Sequence, residues 1–469
     1  MSSERALPAG LLPALRAGLH PGAVIDDRDR LVAYEADALT TSQGLPGAAV
    51  FPADRDELIQ VIRLLHEARV PFVARGAGTG LAGGAVATGG VLVCTTRMHR
   101  ILEVDAVGRT ALVEPGVLTD SISAAAEVHG LRYLPDPASS AACTIGGNVA
   151  TNSGGPHCLK HGVTTDHVAA LEMILPDGTP LVVGRGEDGG LDLAGVFVGS
   201  EGTLGVISRI RVNLAPIATG VRTFLALFDS VADAGRAVGQ IFDAGVVPVA
   251  LELVDRETIA VVEASVFAAG LPLDTEAALV VECEGEAEET AEDLDEAEKA
   301  VLACGAREVR HAHSEEERLA IWQARKKAYG ALGRLAPDVF VQDAAVPRST
   351  LPDLLPKFME IAHRHDLRLA NFFHAGDGNV HPNLLFDRRD AEQVTRVQSA
   401  GAEIMALCVH VGGTITGEHG VGADKVRHMD LVFGEPELQI MRALRDATDR
   451  TGLANPGKLL PDEREDETR

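Results

Sequence analysis

The longest helical period in the chain lies at 391–411, where Val394, Val397, Ile404, Leu407 and Val411 form one stripe and Gly412-Gly413 stop it. A second stripe, Leu58, Ile62 and Leu65, predicts a helix capped by Asp54, with Glu57 three residues on and Pro71 closing the segment. Further helices are predicted at about 118–129, closed by Gly130, and over 315–333. Short β-branched runs (VLVCTT, ILEVDAV, TALVEPG, LEMILPDG, GTLGVISRIRVNL) fill the first half, and TFLALFD, ALELVD and AALVVECEG recur after a change of character around 213–222. That pattern predicts a leader at 1–30, one domain over 31–218, another over 219–461 and a charged tail at 462–469. The second domain, alternating strand-like and helical runs, suits an α+β fold on an antiparallel sheet. EGEAEETAEDLDEAEKA reads as a solvated helix face.

One predicted hairpin carries chemistry. LRLANFF reads as a strand, GDGN as its turn and VHPNLLF as the returning strand, so His374 and His381 flank the turn, with Asn383 two residues beyond the second. About thirty residues later TGEHGVG sets Glu418 beside His419, which point opposite ways in an extended segment, so one can ligate a metal while the other faces a substrate. Two His and a carboxylate with open positions form a common catalytic divalent-metal set, Zn first, with Fe or Mn also suited by ligand type. The competing reading is a surface hairpin whose imidazoles only hydrogen-bond.

Composition narrows the function classes. The 469 residues suffice for two or three domains, and a net charge of −26 without a basic cluster argues against nucleic acid. Six cysteines without a CxxC pair argue against a zinc ribbon, an iron–sulfur cluster or a disulfide framework and suit a reducing compartment. The first residues are too weakly apolar for a secretory signal, and no run of about 18 apolar residues occurs, so a soluble, cytoplasmic protein is expected.

GTGLAG at 78–83 satisfies GxGxxG, and Glu103 lies twenty residues beyond, but GAVATGGVLVCTT is too β-branched and short for the helix a Rossmann fingerprint needs. A bend of small residues can still expose successive N–H groups to a pyrophosphate. Thr144 to Gly155 has the same composition, and with GSEGTLG at 199–205 the three stretches predict an extended cofactor cradle.

The ordered set PFVARGAGTGLAGG, TIGGNVATNSGG, GSEGTLGVI, FHAGDGNVHPN, GEHGVG and NPGKLLP, over residues 30 to 461, resembles the FAD-linked oxidases, which include D-lactate and D-2-hydroxyglutarate dehydrogenases and the flavin subunit of bacterial glycolate oxidase. The resemblance implies an α+β fold: a two-subdomain FAD-binding domain of the vanillyl-alcohol-oxidase (PCMH) type, then a substrate domain with an antiparallel sheet. It implies non-covalent FAD, its pyrophosphate on Arg75, Gly76, Ala77, Gly78, Thr79 and Gly80 and a second wall at Pro135, Asp136, Thr144, Gly146, Gly147, Asn148 and Thr151. The flavin ring would meet Glu201, Gly202, Thr203, Gly205, Val206 and Asn455.

Oxidation of a small 2-hydroxy acid then has a candidate for each role. Arg325, sharing a helix face with Trp322, matches the family's carboxylate anchor; His374, His381 and Glu418 would hold the metal; His419 would be the base and Asn383 would orient the substrate. Asp377 is assigned to shaping the turn, and Glu252 and Asp255 to structure. LAPDVFVQDAAVP lacks the Lys that dicarboxylate-specific relatives carry, which favours glycolate or D-lactate over 2-hydroxyglutarate unless Arg348, just outside, replaces it. Expected partners are a flavin-domain-like and an iron–sulfur subunit, which would bring the protein to the cytoplasmic face of the membrane, or another electron acceptor; a homodimer is also open. The rival readings are a D-2-hydroxyglutarate dehydrogenase-like enzyme, a non-flavin metal hydrolase and a catalytically silent flavin-fold scaffold.

Overall fold

Capping fixes where the helices begin. In the computed structural model, which describes residues 6–184 and 190–461, the Asp54 carboxylate accepts from the N–H groups of Asp56 and Glu57 and starts Arg55–Glu67. Glu57 in turn accepts from Ala53 N at 2.7 Å, one residue before the cap. Arg69, at φ 53°, turns the chain out of that helix before Pro71. Ser314 and Asp390 cap Glu315–Leu332 and Ala391–His410 in the same manner. The expected charged tail at 462–469 lies outside the described residues.

The chain folds as two bodies that are not contiguous in sequence: Met1–Ser153, Val163–Ile217 and His419–Arg469 form the first, Gly154–Gly162 and Ala218–Glu418 the second. The linear division near 218 marks one exchange, but the chain also crosses at 153/154, 162/163 and 418/419. Isolated crossings leave no trace in hydrophobic period, so pattern alone passes over them.

Two sheets organise the first body. Ala48–Val50, Val91–Cys94 and Phe72–Arg75 run parallel, with Val24–Ile25 antiparallel at the edge. Ile101–Asp105, Thr110–Val113, Val206–Asn213, Val168–Ile174 and Pro180–Gly184 make an antiparallel five-stranded sheet. The leader is folded into this body: Leu11, Leu15 and Leu19, spaced four apart, pack with Leu58, Ile62 and Phe72. Between Arg75 and Val91 there is no helix, so the GxGxxG there heads no Rossmann unit.

The second body is built on a nine-stranded antiparallel sheet whose main path runs Glu308–His311, Gly220–Phe228, Ala277–Gly285, Ala250–Asp255, Arg368–His374, Asn379–Val380, Ala344–Ala345. Pro382–Phe386 and Asp338–Val341 branch from it. Glu315–Leu332 and Arg256–Glu263 cover one face, where Leu225, Val254, Val280, Ala324, Ala328 and Phe372 form the core. The hairpin turn needs one special residue: Gly378 sits at φ 77°, and a Cβ there would run into the Val346 carbonyl. Gly378→Ala should therefore cost about 1–3 kcal/mol, seen as a lower urea midpoint; an unchanged midpoint would show that the turn tolerates a side chain.

Candidate functional site

The hairpin presents both imidazoles to one carboxylate. His374 ends its strand, paired on one side with Asn379 and on the other with Glu252. His374 Nε2 and His381 Nε2 each lie 3.2 Å from Glu418 Oε1. The two rings stand at 86°, their centroids 5.2 Å apart. His374, His381 and Glu418 thus offer three ligand atoms within 4.8 Å of one another, all in the second body. Behind His374, Nδ1 meets Glu252 Oε1 at 2.6 Å, which fixes the ring with Nε2 toward Glu418. A carboxylate behind a histidine in this way orients a metal ligand and raises its basicity. The donor set fits a divalent ion of the Zn, Fe or Mn kind.

Charge is concentrated where water is scarce. Burial disfavours the imidazolium of His374, but the carboxylates of Glu252 and Glu418 outweigh it and hold the pKa well above the ordinary 6.5. Burial likewise disfavours the Glu418 carboxylate, yet His374 and His381 hold its pKa well below 4.5. The stretch before Glu418 is bent at 415 and again at 417–419 rather than extended as expected, and it is pinned by Asp343, which accepts from Thr416 Oγ1 at 2.6 Å, Gly417 N at 3.0 Å and Glu418 N at 3.1 Å.

Arg325, 7% exposed, extends the array: its Nη2 forms an ion pair with Glu252 Oε2 at 2.6 Å, and its guanidinium lies 5.2 Å from the Phe372 ring centre. Nε of Arg325 is buried and has no hydrogen-bond partner among the described residues. Asn383 is fully buried, its Nδ2 donating to the carbonyls of Ala370 and His381 while Oδ1 has no partner among the described residues. Asp377 accepts from Asn379 N inside the turn. Arg348 stacks 3.8 Å over Phe242 and donates to the Gly376 carbonyl, so its guanidinium braces the hairpin. His419, the residue after Glu418, belongs to the first body.

In the first body the glycine run and two distant loops are tied together. The N–H groups of Ala77, Gly78, Thr79 and Gly80 donate to nothing among the described residues, leaving four successive donors of the sort that hold a pyrophosphate. The Arg75 guanidinium donates to the carbonyls of Ala85 and Ala36, which ties the run to the segment before it. The second stretch is not the donor-rich bend its composition suggested. Thr144 caps a short helix, Ile145–Thr151, and the N–H groups of Ile145, Gly146, Gly147 and Asn148 are taken by Val117, Pro115 and Thr144. Asn148 spends its amide on Thr119, and Thr151 its hydroxyl on Gly147 O and Ser153. Gly146 contributes closeness, because a Cβ there would meet Pro115 at 2.6 Å, whereas a Cβ on Gly147 would meet nothing nearer than Thr144 Oγ1 at 3.4 Å. Pro135 is buried and Asp136 half-buried in the preceding loop.

Glu201, at φ 51°, accepts from Val421 N and Gly422 N at 2.7 Å each, and burial raises its carboxyl pKa despite those bonds. It therefore clamps the loop that begins at His419. Gly202 at φ 73° and Gly205 at φ 139° shape the turn, Thr203 donates to Ser200 O, and Val206 opens the next strand. Asn455 donates to Glu201 O and Gly84 O, and its Oδ1 is buried without a partner among the described residues, an acceptor beside the glycine run that fits a bound FAD.

Sequence reasoning gave Glu252 only a structural part and passed over Asp343. Both are acids inside otherwise apolar strands, ALELVD and VFVQDAAV, and that anomaly was the available signal.

The chain matches the family model "FAD linked oxidases, C-terminal domain" over residues 218–459 and "FAD binding domain" over 46–184. It is 41% identical to glycolate oxidase subunit GlcD of Escherichia coli K12 over 454 residues, 96% of this chain and 91% of that protein. It is 31% identical to D-lactate dehydrogenase of Anaerostipes hadrus over 88% of this chain and 89% of that one. p-Cresol methylhydroxylase shares the fold, with a TM-score of 0.81 at 16% identity over 98% and 99% of the two chains.

The charge array sets a pH window. The depressed Glu418 pKa contributes stability that is full above 4.5 and lost as pH falls toward the folded value; the raised His374 pKa contributes stability that is full below 6.5 and lost as pH rises through its folded value. In chelator-treated protein, Glu418→Gln should cost about 3–5 kcal/mol between those limits and less on either side. Urea midpoints measured across pH test this, and a difference independent of pH would contradict it.

Proposed function

The chain belongs to the FAD-linked oxidases and is an FAD-dependent hydroxy-acid oxidoreductase; from that premise we propose that it oxidises a small 2-hydroxy acid, glycolate or D-lactate, to the 2-oxo acid with the help of a divalent metal. The observation that carries this reading is the buried array Arg325–Glu252–His374–Glu418–His381. When bound, FAD supplies the hydride acceptor and the metal a Lewis acid that lowers the pKa of a coordinated hydroxyl.

The chain's own residues divide the remaining work. Arg325 anchors the substrate carboxylate, with Glu252 holding one edge of its guanidinium. His374, His381 and Glu418 hold the metal, and Asn383 orients the substrate through its unpartnered Oδ1. His419 takes the hydroxyl proton, from a loop that Glu201 clamps. A small monocarboxylate is favoured because 335–347 offers no cation and Arg348 is engaged with Phe242 and Gly376. Electrons leave to an external acceptor, and the likeness to a glycolate oxidase subunit supports flavin-like and iron–sulfur partner subunits. No helix among the described residues is long and apolar enough to cross a membrane, and a cytoplasmic place, peripheral through those partners, follows from the same reading.

Anaerobic addition of glycolate, D-lactate, L-lactate and D-2-hydroxyglutarate in turn should bleach a flavin band near ~450 nm with one of the first two; a yellow protein reduced only by D-2-hydroxyglutarate would move the substrate to the dicarboxylate class. His419→Ala should keep FAD and metal and slow flavin reduction by about 10²–10⁴, and reduction at the wild-type rate would remove His419 from the reaction. Chelation should abolish turnover while flavin stays bound, whereas full turnover in verified metal-free protein would exclude the Lewis acid.

A further inference from the structure

A cavity of about 310 Å³ opens in the second body between the sheet and Glu315–Leu332. Its wall is aliphatic, with Leu225, Val254, Ile259, Val262, Val280 and Ile321 contributing. Packed interiors seldom leave voids of this size, and an apolar pocket with a few polar groups is the ordinary form of a small-molecule site. Its polarity is confined. At the rim, Arg310 is engaged with Glu308 and the Gly270 carbonyl, and His311 with Glu298. Thr258 spends its hydroxyl on Asp255 and Asn371 O. Arg325 also lines the cavity, 93% buried by its 7% exposure, and its Nε is a buried donor with no partner among the described residues. One edge of that guanidinium is held by Glu252 and another N–H is left unpaired.

We propose that this cavity binds an unbranched, medium-chain monocarboxylate, its alkyl chain along the aliphatic wall and its carboxylate on Arg325 Nε. A buried cationic N–H without an acceptor favours a charged oxygen, since hydrogen bonds to an ionised partner are about twice as strong as neutral ones. The remaining polar lining, His313 and Glu317, is exposed at the rim, and the Glu317 carboxylate there disfavours a second anionic end, so a monocarboxylate is preferred to a dicarboxylate. The same guanidinium is the substrate anchor of the proposed function, and the kinetic consequence below rests on that reading: an alkanoate on Nε raises the apparent KM for the hydroxy acid and leaves kcat unchanged.

Calorimetric titration of the flavin-loaded protein with hexanoate, octanoate and decanoate tests the binding without any turnover. Burial of each added methylene should tighten binding about fourfold, or about fifteenfold per two-carbon step. 1-Octanol should bind more weakly than octanoate. Ala320→Trp, at an exposed helix position lining the cavity, should weaken octanoate at least tenfold while leaving the melting temperature near that of wild type. Absence of octanoate binding, affinity independent of chain length, or equal affinity in Ala320→Trp would each overturn the proposal. Failure of the hydroxy-acid reading shows separately, as a flavin that no hydroxy acid reduces; octanoate binding that leaves KM unchanged would overturn the shared-guanidinium consequence alone.

Discussion

A carboxylate with no exposure to water organises the second body's chemistry. Glu252 is fully buried, and each of its oxygens faces a different group: Oε1 the imidazole of His374, Oε2 the guanidinium of Arg325. Burying an isolated carboxylate would be prohibitive, so both partners are required, and each is held in place by the need to compensate it. One buried charge thereby fixes a candidate metal ligand and a candidate substrate anchor, from a hairpin and a helix far apart in sequence. Glu418 continues the alternation of sign on the other side of His374.

The first body uses the same device with a different output. Glu201 is buried and accepts from two backbone N–H groups of the 419–422 loop, and Asn455 draws the Glu201 and Gly84 carbonyls together. Polar side chains here act as crosslinks between loops that have no sheet register to hold them. The donors left over, at Ala77 to Gly80, are in the loop where composition is richest in glycine. Shape around the glycine run is thus set in part by side-chain crosslinks from distant loops.

Local patterns were legible where the physics is local. Asp54 and the Leu58–Ile62–Leu65 stripe gave a helix because capping and a 3.6-residue period need only neighbours. The absence of a Rossmann helix after Gly83 followed from the shortness and β-branching of the segment. The second glycine stretch differs for the complementary reason: small residues permit a free loop, but Pro115 and Val117, from another segment, together with Thr144, accept the N–H groups of Ile145 to Asn148. Arg75 was placed on phosphate by resemblance, and its donors go to Ala36 and Ala85, a contact no spacing announces.

The sequence by itself determined the inventory and its local geometry: two imidazoles flanking one turn, an adjacent acid and base, glycine bends, and the family to which their order belongs. Only the tertiary structure decided which acid answers which cation. That Glu252 rather than a nearer carboxylate backs His374, that Asp343 holds the Glu418 segment and that Arg325 keeps one N–H unpaired beside an aliphatic cavity all depend on strands and helices brought together across more than seventy residues. The pairing of buried charges is a property of distance in space and exclusion of water, and neither quantity is written in the spacing of residues along a chain.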